Sequence, residues 1–221
     1  MMKLLTRQIN AIIFDLDGTL LDSSGIWGDI DKEFFHKRGM EIPPSYGEEI
    51  AHIGLDEAAV LTAKKYCIGE NPEDILNEWR EGSKKQYEEV VQLKPHVKEL
   101  LVLLKEKNIK MAVATANKRF LYEPCLRRLG IYDYFIEIAD VDKVNAGKNS
   151  AKLYNYVADK LNESAENIAV FEDIHVGLKT AYENGYFSVA VYDKHSKDEE
   201  LKRKYSHLYI NDFDEIIKEM D

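Results

Sequence analysis

Two aspartates, Asp15 and Asp17, stand two positions apart directly after a short apolar run. In an extended segment this spacing directs both carboxylates the same way, and Gly18 behind them permits a sharp turn. Two carboxylates about 4 Å apart repel each other by roughly 4 kcal/mol at an effective dielectric constant of about 20. A site that tolerates this repulsion usually holds a metal ion or keeps one acid protonated. Both arrangements serve phosphoryl transfer, in which one carboxylate attacks, the other moves protons and a cation screens the charge.

The end of a later apolar run offers a candidate phosphate site. Thr115 closes that run and is followed by Ala116 and Asn117. A threonine hydroxyl and the backbone N–H groups at the start of a helix can together hold a phosphate. We therefore interpret these three residues as candidate phosphate-binding groups.

A lysine and a second acid pair complete the set of chemical groups. Lys148 follows Gly147 ahead of a helical pattern, and Glu172 and Asp173 end another apolar run. Carboxylate oxygens are the hard ligands that suit Mg²⁺. Each feature is common on its own, but their order along successive strand–helix units is specific. The set indicates a magnesium-dependent site for phosphate chemistry.

The elements that must position these groups can be identified from the apolar pattern. Buried strands are predicted at the short apolar runs 11–14, 111–114, 168–171 and 187–191. Helical patterns separate them at residues 97–107, 120–129 and 151–161, the last preceded by Ser150 as a helix cap. Strands that alternate with helices predict an α/β fold with a doubly wound, Rossmann-like parallel sheet.

The region between the first strand and Lys94 breaks this alternation, because its patterns are helical and no strand is evident. Helices are expected at about 26–39, 55–66 and 71–91, and the last begins with a capping Asn71 followed by a proline. We therefore expect an α/β core of residues 1–21 and 94–221, with an inserted all-helical domain of residues 22–93. An insert at this place would sit over the carboxyl ends of the strands, where open α/β sheets bind ligands.

Charge and composition limit the partners. The 221 residues carry 40 acidic and 30 basic side chains, a net charge of -10, which disfavours nucleic acid and anionic membranes as partners. Two cysteines outside any metal-binding pattern argue against a zinc site. No run approaches the roughly 20 apolar residues of a membrane span, and residues 1–10 lack the long apolar run of a signal peptide. We expect a cytoplasmic protein, a monomer or weak homodimer, that acts on a small phosphorylated metabolite.

Residues 15–23, Asp-Leu-Asp-Gly-Thr-Leu-Leu-Asp-Ser, closely resemble the first motif of the haloacid dehalogenase superfamily, in its phosphatase branch with a helical cap. Thr115, Lys148 and the pair Glu172-Asp173 are similar to its second, third and fourth motifs. The resemblance covers essentially the whole chain, and the first motif is the most specific part of it. The helical insert matches the cap in position and length.

This resemblance implies a mechanism. Asp15 would attack phosphorus and become an aspartyl phosphate, while Asp17 would protonate the leaving oxygen and then deprotonate the hydrolytic water. Mg²⁺ would be held by the Asp15 carboxylate, the Asp17 backbone carbonyl and Asp173, with Glu172 as a further ligand or as a group that orients one. Thr115 and the region of Asn117 would bind phosphoryl oxygens, and Lys148 would neutralise charge.

The third motif departs from the family pattern. The family usually has Gly-Lys-Pro-x-Pro there, whereas residues 147–151 are Gly-Lys-Asn-Ser-Ala, without either proline. Lys148 remains the expected functional lysine because it follows Gly147 and precedes a helix. Lys143 and Lys152 are the alternatives.

Two cap positions separate a phosphatase from the related β-phosphoglucomutases. Those mutases usually carry a histidine five residues after the last aspartate of the first motif, where this chain has Trp27. They also carry an arginine in a cap loop whose counterpart, residues 54–57, is Gly-Leu-Asp-Glu here. Both departures favour a phosphatase, with a mutase as the alternative and a non-catalytic binding protein as the least favoured reading. Trp27 and His52 are candidates for lining the substrate pocket.

Overall fold

Apolar runs bounded by turn residues form the strands, and the computed structural model describes residues 2–4, 7–50, 55–67 and 69–220. The strands are β1 Met2–Leu4, β2 Arg7–Ile9, β3 Ala11–Phe14, β4 Lys110–Thr115, β5 Glu137–Asp140, β6 Ile168–Glu172, β7 Phe187–Val191 and β8 Leu208–Ile210.

The helices fall into an early group and a later group. The early group is α1 Ile26–Lys37, α2 Tyr46–Ile50, α3 Leu55–Lys65 and α4 Pro72–Lys85, which continues as a π-helical turn at Gln86–Val90. The later group is α5 Val97–Glu106, α6 Arg119–Arg128, α7 Val141–Val144, α8 Ala151–Leu161, α9 His175–Glu183, α10 Glu199–Lys204 and α11 Asp214–Met220.

Among the described residues, six strands form a parallel sheet in the order β5-β4-β3-β6-β7-β8. The first of these in the chain, β3, lies inside the sheet between β4 and β6, so the chain builds outward from it in both directions. All residues of β3 and β6 are buried, as expected for strands covered by helices on both faces. The predicted doubly wound α/β fold is confirmed, and β3 marks the switch point at which such sheets bind ligands.

The chain divides into two compact units, residues 1–24 with 91–221, and residues 25–90. The sequence predicted that the core would stop after residue 21 and resume at residue 94. In the structure the core unit is therefore three residues longer at each of the two crossings. The difference has a physical cause, because hydrogen bonds tie the two crossing segments together within the first unit. Asp22 N donates to the Gln92 carbonyl at 2.9 Å, and Lys94 N donates to the Leu20 carbonyl at 2.9 Å.

In the described part of residues 25–90 all the regular elements are helical, as the sequence predicts. The start of α4 is confirmed, since the Asn71 side chain accepts the Glu73 N–H at 3.0 Å and Pro72 takes the first helical position. An aromatic cluster forms the interior of this unit, with Phe34 and Phe35 packed edge-on to Trp79 and Tyr46 respectively.

Several elements escaped the sequence patterns. The edge strands β5 and β8 are four and three residues long and only partly buried, so they lack the continuous apolar run that identifies the inner strands. The antiparallel pair β1 and β2 and the five-residue α2 are also too short to show a period. None of the helices in the described ranges is long and apolar enough to cross a bilayer.

Asp31 on α1 gives the helical unit a pH-dependent stability. Burial raises the pKa of Asp31 from 3.8 to about 6, and no cation pairs with it in the described part of the chain. Below about pH 3 Asp31 is protonated in both the folded and the unfolded protein. Between about pH 3 and 6 it ionises first in the unfolded state, so stability falls as pH rises. We expect Asp31→Asn to stabilise the protein by about 1–2 kcal/mol at pH 7.5 and by much less at pH 4.

Urea unfolding followed by circular dichroism at the two pH values measures this difference. Asp29→Asn is the matched control on the same helix, because Asp29 is exposed and its ion pair with Lys32 lies at the surface. An Asp31→Asn gain that is the same at pH 4 and pH 7.5 would contradict the assignment.

Candidate active site

The loop after β3 turns sharply around one carbonyl. The N–H groups of Thr19, Leu20 and Leu21 all point to the Leu16 carbonyl, at 3.2, 2.9 and 2.8 Å. Gly18 has a φ of 76°, and a Cβ added there would lie 2.4 Å from Asp173 Oδ2. Glycine is therefore required at this position by both its backbone conformation and the neighbouring acid.

Asp15 is 2% exposed and lies at the carboxyl end of β3. Lys148 Nζ lies 2.7 Å from Asp15 Oδ1, an ion pair whose angle does not make a hydrogen bond. Within the described residues, both Asp15 carboxylate oxygens are buried without a hydrogen-bond partner. Buried polar groups in native proteins are normally hydrogen-bonded, so a carboxylate held only by the Lys148 ion pair among the described residues can still meet a metal cation or a reacting atom.

Glu172 and Asp173 at the end of β6 complete a buried acidic cluster with Asp15. Ligand oxygens of the three carboxylates lie within 4.8 Å of one another. Glu172 is held by Lys148 Nζ at 2.9 Å, the Tyr154 hydroxyl at 3.4 Å and the Ile174 N–H at 3.4 Å. An added Cβ at Gly177 would lie 2.5 Å from Glu172 Oε2, so this helix position leaves room only for glycine.

The electrostatics of the cluster follow from burial and from like charge. Burial and then Glu172 raise the pKa of Asp15 well above its usual range. Burial also raises the pKa of Glu172, to about 7, and the pKa of Asp173. Burial alone would lower the pKa of Lys148, but Asp15 and Glu172 outweigh it and raise that pKa well above normal.

Three carboxylates facing one ammonium leave an excess of negative charge in a buried place. The two oxygens of Asp15 without hydrogen bonds supply an observation independent of any resemblance. An all-oxygen donor set of this kind suits Mg²⁺ rather than a soft transition metal. The residues present therefore fit a hard divalent cation.

Asp17 has a different environment from the three clustered acids. Ser23 Oγ donates to Asp17 Oδ1 at 2.6 Å, and Asn117 Nδ2 donates to Asp17 Oδ2 at 2.8 Å. Its side chain is only partly buried. Hydrogen bonds to both oxygens fix the carboxylate in one orientation beside the cluster, which is what a group that moves protons needs.

The segment after β4 forms a turn that connects to Asp17. Thr115 is fully buried and its hydroxyl oxygen accepts the Asn117 N–H at 3.0 Å. Ala116 is exposed, and the Lys118 N–H donates to Asn117 Oδ1 at 2.7 Å. The turn thus places Thr115 and the Asn117 amide near the same edge of the sheet as Asp15, one strand away.

Lys148 reaches the cluster from the loop before α8. Its side chain is 9% exposed and its ammonium contacts both Asp15 and Glu172. By contrast, Lys143 Nζ pairs with Glu137 on β5, and Lys152 is exposed on α8. The sequence left these three lysines as alternatives, and the geometry brings Lys148 to the acids.

The sequence also predicted two residues of the substrate pocket. Trp27 lies on α1 in the unit of residues 25–90 and is 39% exposed. His52 lies outside the described residues.

Three residues that contact the acids of the site were not identified from the sequence. Thr19 and Ser196 place hydroxyls 3.3 and 3.1 Å from the Asp173 carboxylate, and Tyr154 places its hydroxyl against Glu172. Thr19 belongs to the first motif, so its neighbourhood was identified but its contact was not. Ser196 and Tyr154 are ordinary in sequence, because their contacts span 23 and 18 positions along the chain.

Chemically, the site offers a buried carboxylate without hydrogen bonds, an oriented second carboxylate, a buried ammonium and clustered carboxylate oxygens that suit a divalent cation. A nucleophile, a proton carrier and charge neutralisation together meet the needs of phosphoryl transfer through a covalent intermediate.

Comparisons with known proteins agree with this chemistry. The haloacid dehalogenase-like hydrolase family model matches residues 12–191. A phosphorylated carbohydrates phosphatase of Thermotoga maritima is 28% identical over 177 residues, 80% of this chain and 82% of that protein. β-Phosphoglucomutase of Bacillus subtilis is 27% identical over 193 residues, 83% of each chain. The crystal structure of a candidate β-phosphoglucomutase from Thermotoga maritima has a TM-score of 0.83 at 25% identity, covering 95% of this chain and 97% of its own.

The close approach of α9 to Glu172 can be tested with an alanine. Gly177→Ala would push a methyl group to 2.8 Å from Glu172 Cγ and 2.5 Å from Oε2, where Lys148 and Tyr154 block retreat. We expect a loss of about 1–3 kcal/mol in unfolding free energy by urea titration. Gly28→Ala on α1 is the control, because nothing lies within 4 Å of that position. The control should stabilise by about 0.5–1 kcal/mol through helix propensity, and a gain from both substitutions would show that Glu172 is not confined.

Proposed function

This chain belongs to the haloacid dehalogenase-like hydrolase family, and we propose that it is a phosphatase that hydrolyses a small phosphorylated metabolite through an aspartyl phosphate on Asp15. The observation that carries the proposal is the buried Asp15 carboxylate, whose oxygens have no hydrogen-bond partner in the described structure while Lys148 compensates its charge. The phosphatases among its relatives support the reaction class.

Asp15 acts as the nucleophile in this proposal. One of its oxygens forms a bond to phosphorus as the bond from phosphorus to the leaving oxygen breaks. The Lys148 ammonium stabilises the carboxylate before attack and the phosphoryl oxygens afterwards. Thr115, Ala116 and Asn117 bind phosphoryl oxygens through the threonine hydroxyl and the N–H groups of the turn, a role that agrees with the exposure of Ala116 and the partial exposure of Asn117.

Asp17 carries the proton in both half-reactions. In its protonated form it donates to the leaving oxygen, which departs as an alcohol. In its ionised form it accepts a proton from the water that attacks phosphorus, which releases inorganic phosphate and restores the Asp15 carboxylate. The hydrogen bonds from Ser23 and Asn117 keep Asp17 aimed during both steps.

Asp15, Asp173 and the Asp17 backbone carbonyl would hold Mg²⁺, and Glu172 would serve as a further ligand or hold Lys148 in place. When bound, the ion supplies positive charge that offsets the phosphate and the clustered carboxylates.

The names of two relatives support a proposal for the substrate class. A relative of similar length acts on phosphorylated carbohydrates, and another is a hexitol phosphatase of Escherichia coli, 25% identical over 178 residues. We propose a sugar or polyol phosphate as substrate for this chain, with Trp27 and His52 as pocket residues.

A mutase remains the second candidate, because β-phosphoglucomutase is among the relatives at comparable identity. A mutase would return the phosphoryl group to a second hydroxyl of the sugar and must keep water from the aspartyl phosphate. Trp27 in place of the expected histidine, and Asp56 and Glu57 in the comparable cap loop, favour water as acceptor.

The nucleophile is tested by replacing Asp15. We expect the wild-type protein to release phosphate from a panel of sugar and polyol phosphates with Mg²⁺, and Asp15→Asn to lose more than about 1,000-fold in kcat because no aspartyl phosphate forms. Asp159→Asn on the exposed face of α8 is the control and should match wild type. Activity retained in Asp15→Asn would refute the nucleophile, and glucose 6-phosphate formed from β-glucose 1-phosphate in excess of free phosphate would favour the mutase.

The metal requirement is tested with and without turnover. We expect EDTA to abolish phosphate release and Mg²⁺ to restore it, and Mg²⁺ alone to raise the Tm of the wild-type protein because binding is linked to folding. Asp173→Asn should remove most of that shift, since it replaces a charged oxygen ligand with a neutral one. An equal Mg²⁺-induced shift in wild type and Asp173→Asn would exclude Asp173 as a ligand.

A further inference from the structure

Asp173 is held in place by two hydroxyl groups from separate loops. Thr19 Oγ1 donates to Asp173 Oδ1 at 3.3 Å. Ser196 Oγ lies 3.1 Å from Asp173 Oδ2 and 2.6 Å from the Asp173 backbone carbonyl. Thr19 follows the nucleophile in the first motif, whereas Ser196 comes from the loop after β7 and has no role in the chemistry described above.

The loop that carries Ser196 is fastened by a buried acid. Asp193 is 3% exposed, accepts the His195 N–H at 2.9 Å, and its own carbonyl accepts the Ser196 N–H at 3.2 Å. Burial alone would raise the pKa of Asp193, but the His195 N–H, Lys94 and Ser24 outweigh it and hold that pKa below its usual range. The ionised side chain thus fixes the backbone on both sides of Lys194.

Lys94 joins this loop to the loop that bears the nucleophile. Its ammonium lies 3.0 Å from Asp193 Oδ2 and donates to the Tyr192 carbonyl at 2.7 Å and the Gly18 carbonyl at 2.5 Å. Gly18 follows β3 and Asp193 follows β7, and these strands flank β6, which ends at Glu172 directly before Asp173. The largely buried Lys94 ammonium therefore contacts the loops on both sides of Asp173.

We propose that Lys94 and Asp193 are positioning residues that hold Ser196 and the Gly18 loop around Asp173, so that its carboxylate is preset to bind the divalent cation. This inference rests on the proposed function, because it concerns residues that orient a metal ligand of the proposed site. Groups that orient metal ligands typically change metal affinity or activity by about 10–100-fold when removed. Without Ser196 or Lys94, Asp173 keeps its charge and its contact with Thr19 but loses part of the support that fixes its direction.

The test is Mg²⁺ binding to the complete protein without substrate, measured by isothermal titration calorimetry. Ser196→Ala removes the hydroxyl, and Lys94→Met removes the ammonium while keeping a similar stem. We expect both variants to bind Mg²⁺ about 10-fold more weakly, and the Mg²⁺ concentration for half-maximal phosphate release to rise by the same factor. KM for substrate at saturating Mg²⁺ should stay unchanged, and Ser196→Thr, which keeps a hydroxyl, should restore most of the affinity.

Two control variants make similar contacts away from the site. Lys98 also donates to backbone carbonyls, those of Leu129 and Gly130, and the Ser206 hydroxyl donates to the Arg203 carbonyl. Lys98→Met and Ser206→Ala should therefore bind Mg²⁺ with wild-type affinity.

The outcomes separate this proposal from the function on which it rests. Wild-type affinity in both Ser196→Ala and Lys94→Met, with an active wild-type enzyme, would overturn the positioning role alone. A wild-type protein that neither binds Mg²⁺ nor releases phosphate would overturn the proposed function. If Lys94→Met fails to fold, Ser196→Ala decides the question, because it leaves no buried charge without its partner.

Discussion

The buried contact of the Lys148 ammonium with Asp15 and Glu172 is the interaction on which the site depends. Removing charges from water costs several kcal/mol per ion unless each is paired. The lysine lies 2.7 and 2.9 Å from the two acids and so makes their burial tolerable. It compensates one charge of three, and this remaining imbalance is what suits the cluster to a cation and a phosphate. A second lysine in the same space would have produced a stable ion-pair network with less capacity for chemistry.

Parallel strands bring the reacting groups together with little loop structure. Asp15 directly follows β3, whereas Thr115 and Glu172 end β4 and β6, and these strands are direct neighbours with β3 between the other two. Because the carboxyl ends of parallel strands share one edge, residues separated by more than 150 positions in sequence become contacts, as Thr19 and Asp173 show. Glycine is then required where the packing is tightest, at Gly18 against Asp173 and at Gly177 against Glu172.

Much of this could be predicted from the sequence, for physical reasons that also explain the omissions. Inner strands such as β3 and β6 must be continuously apolar, so the α/β fold was evident, whereas the partly exposed β5 and β8 left no such pattern. Asp15, Asp17 and the two acids at the end of β6 stand out in the sequence, because carboxylates beside buried strands cost free energy unless a cation or hydrogen bonds compensate them. Ser196 and Lys94 could not be found in this way, because their contacts depend on where β7 and the two crossing segments meet.

The loop that presents Lys148 shows how the same position can be fixed by different means. Where the family usually has two prolines, residues 149 and 151 are Asn and Ala. Prolines would restrict the unfolded chain, and here order comes from contacts of the folded state. The Ser150 N–H donates to the Gly147 carbonyl at 3.0 Å, its hydroxyl caps α8, and α8 buries Leu153 and Tyr154 against the sheet. Since Tyr154 also contacts Glu172, the helix that follows the lysine holds the acid with which the lysine pairs. The position of Lys148 is therefore coupled to the packing of α8. A change in the contact between α8 and the sheet would move the Lys148 ammonium and so alter the charge environment of Asp15.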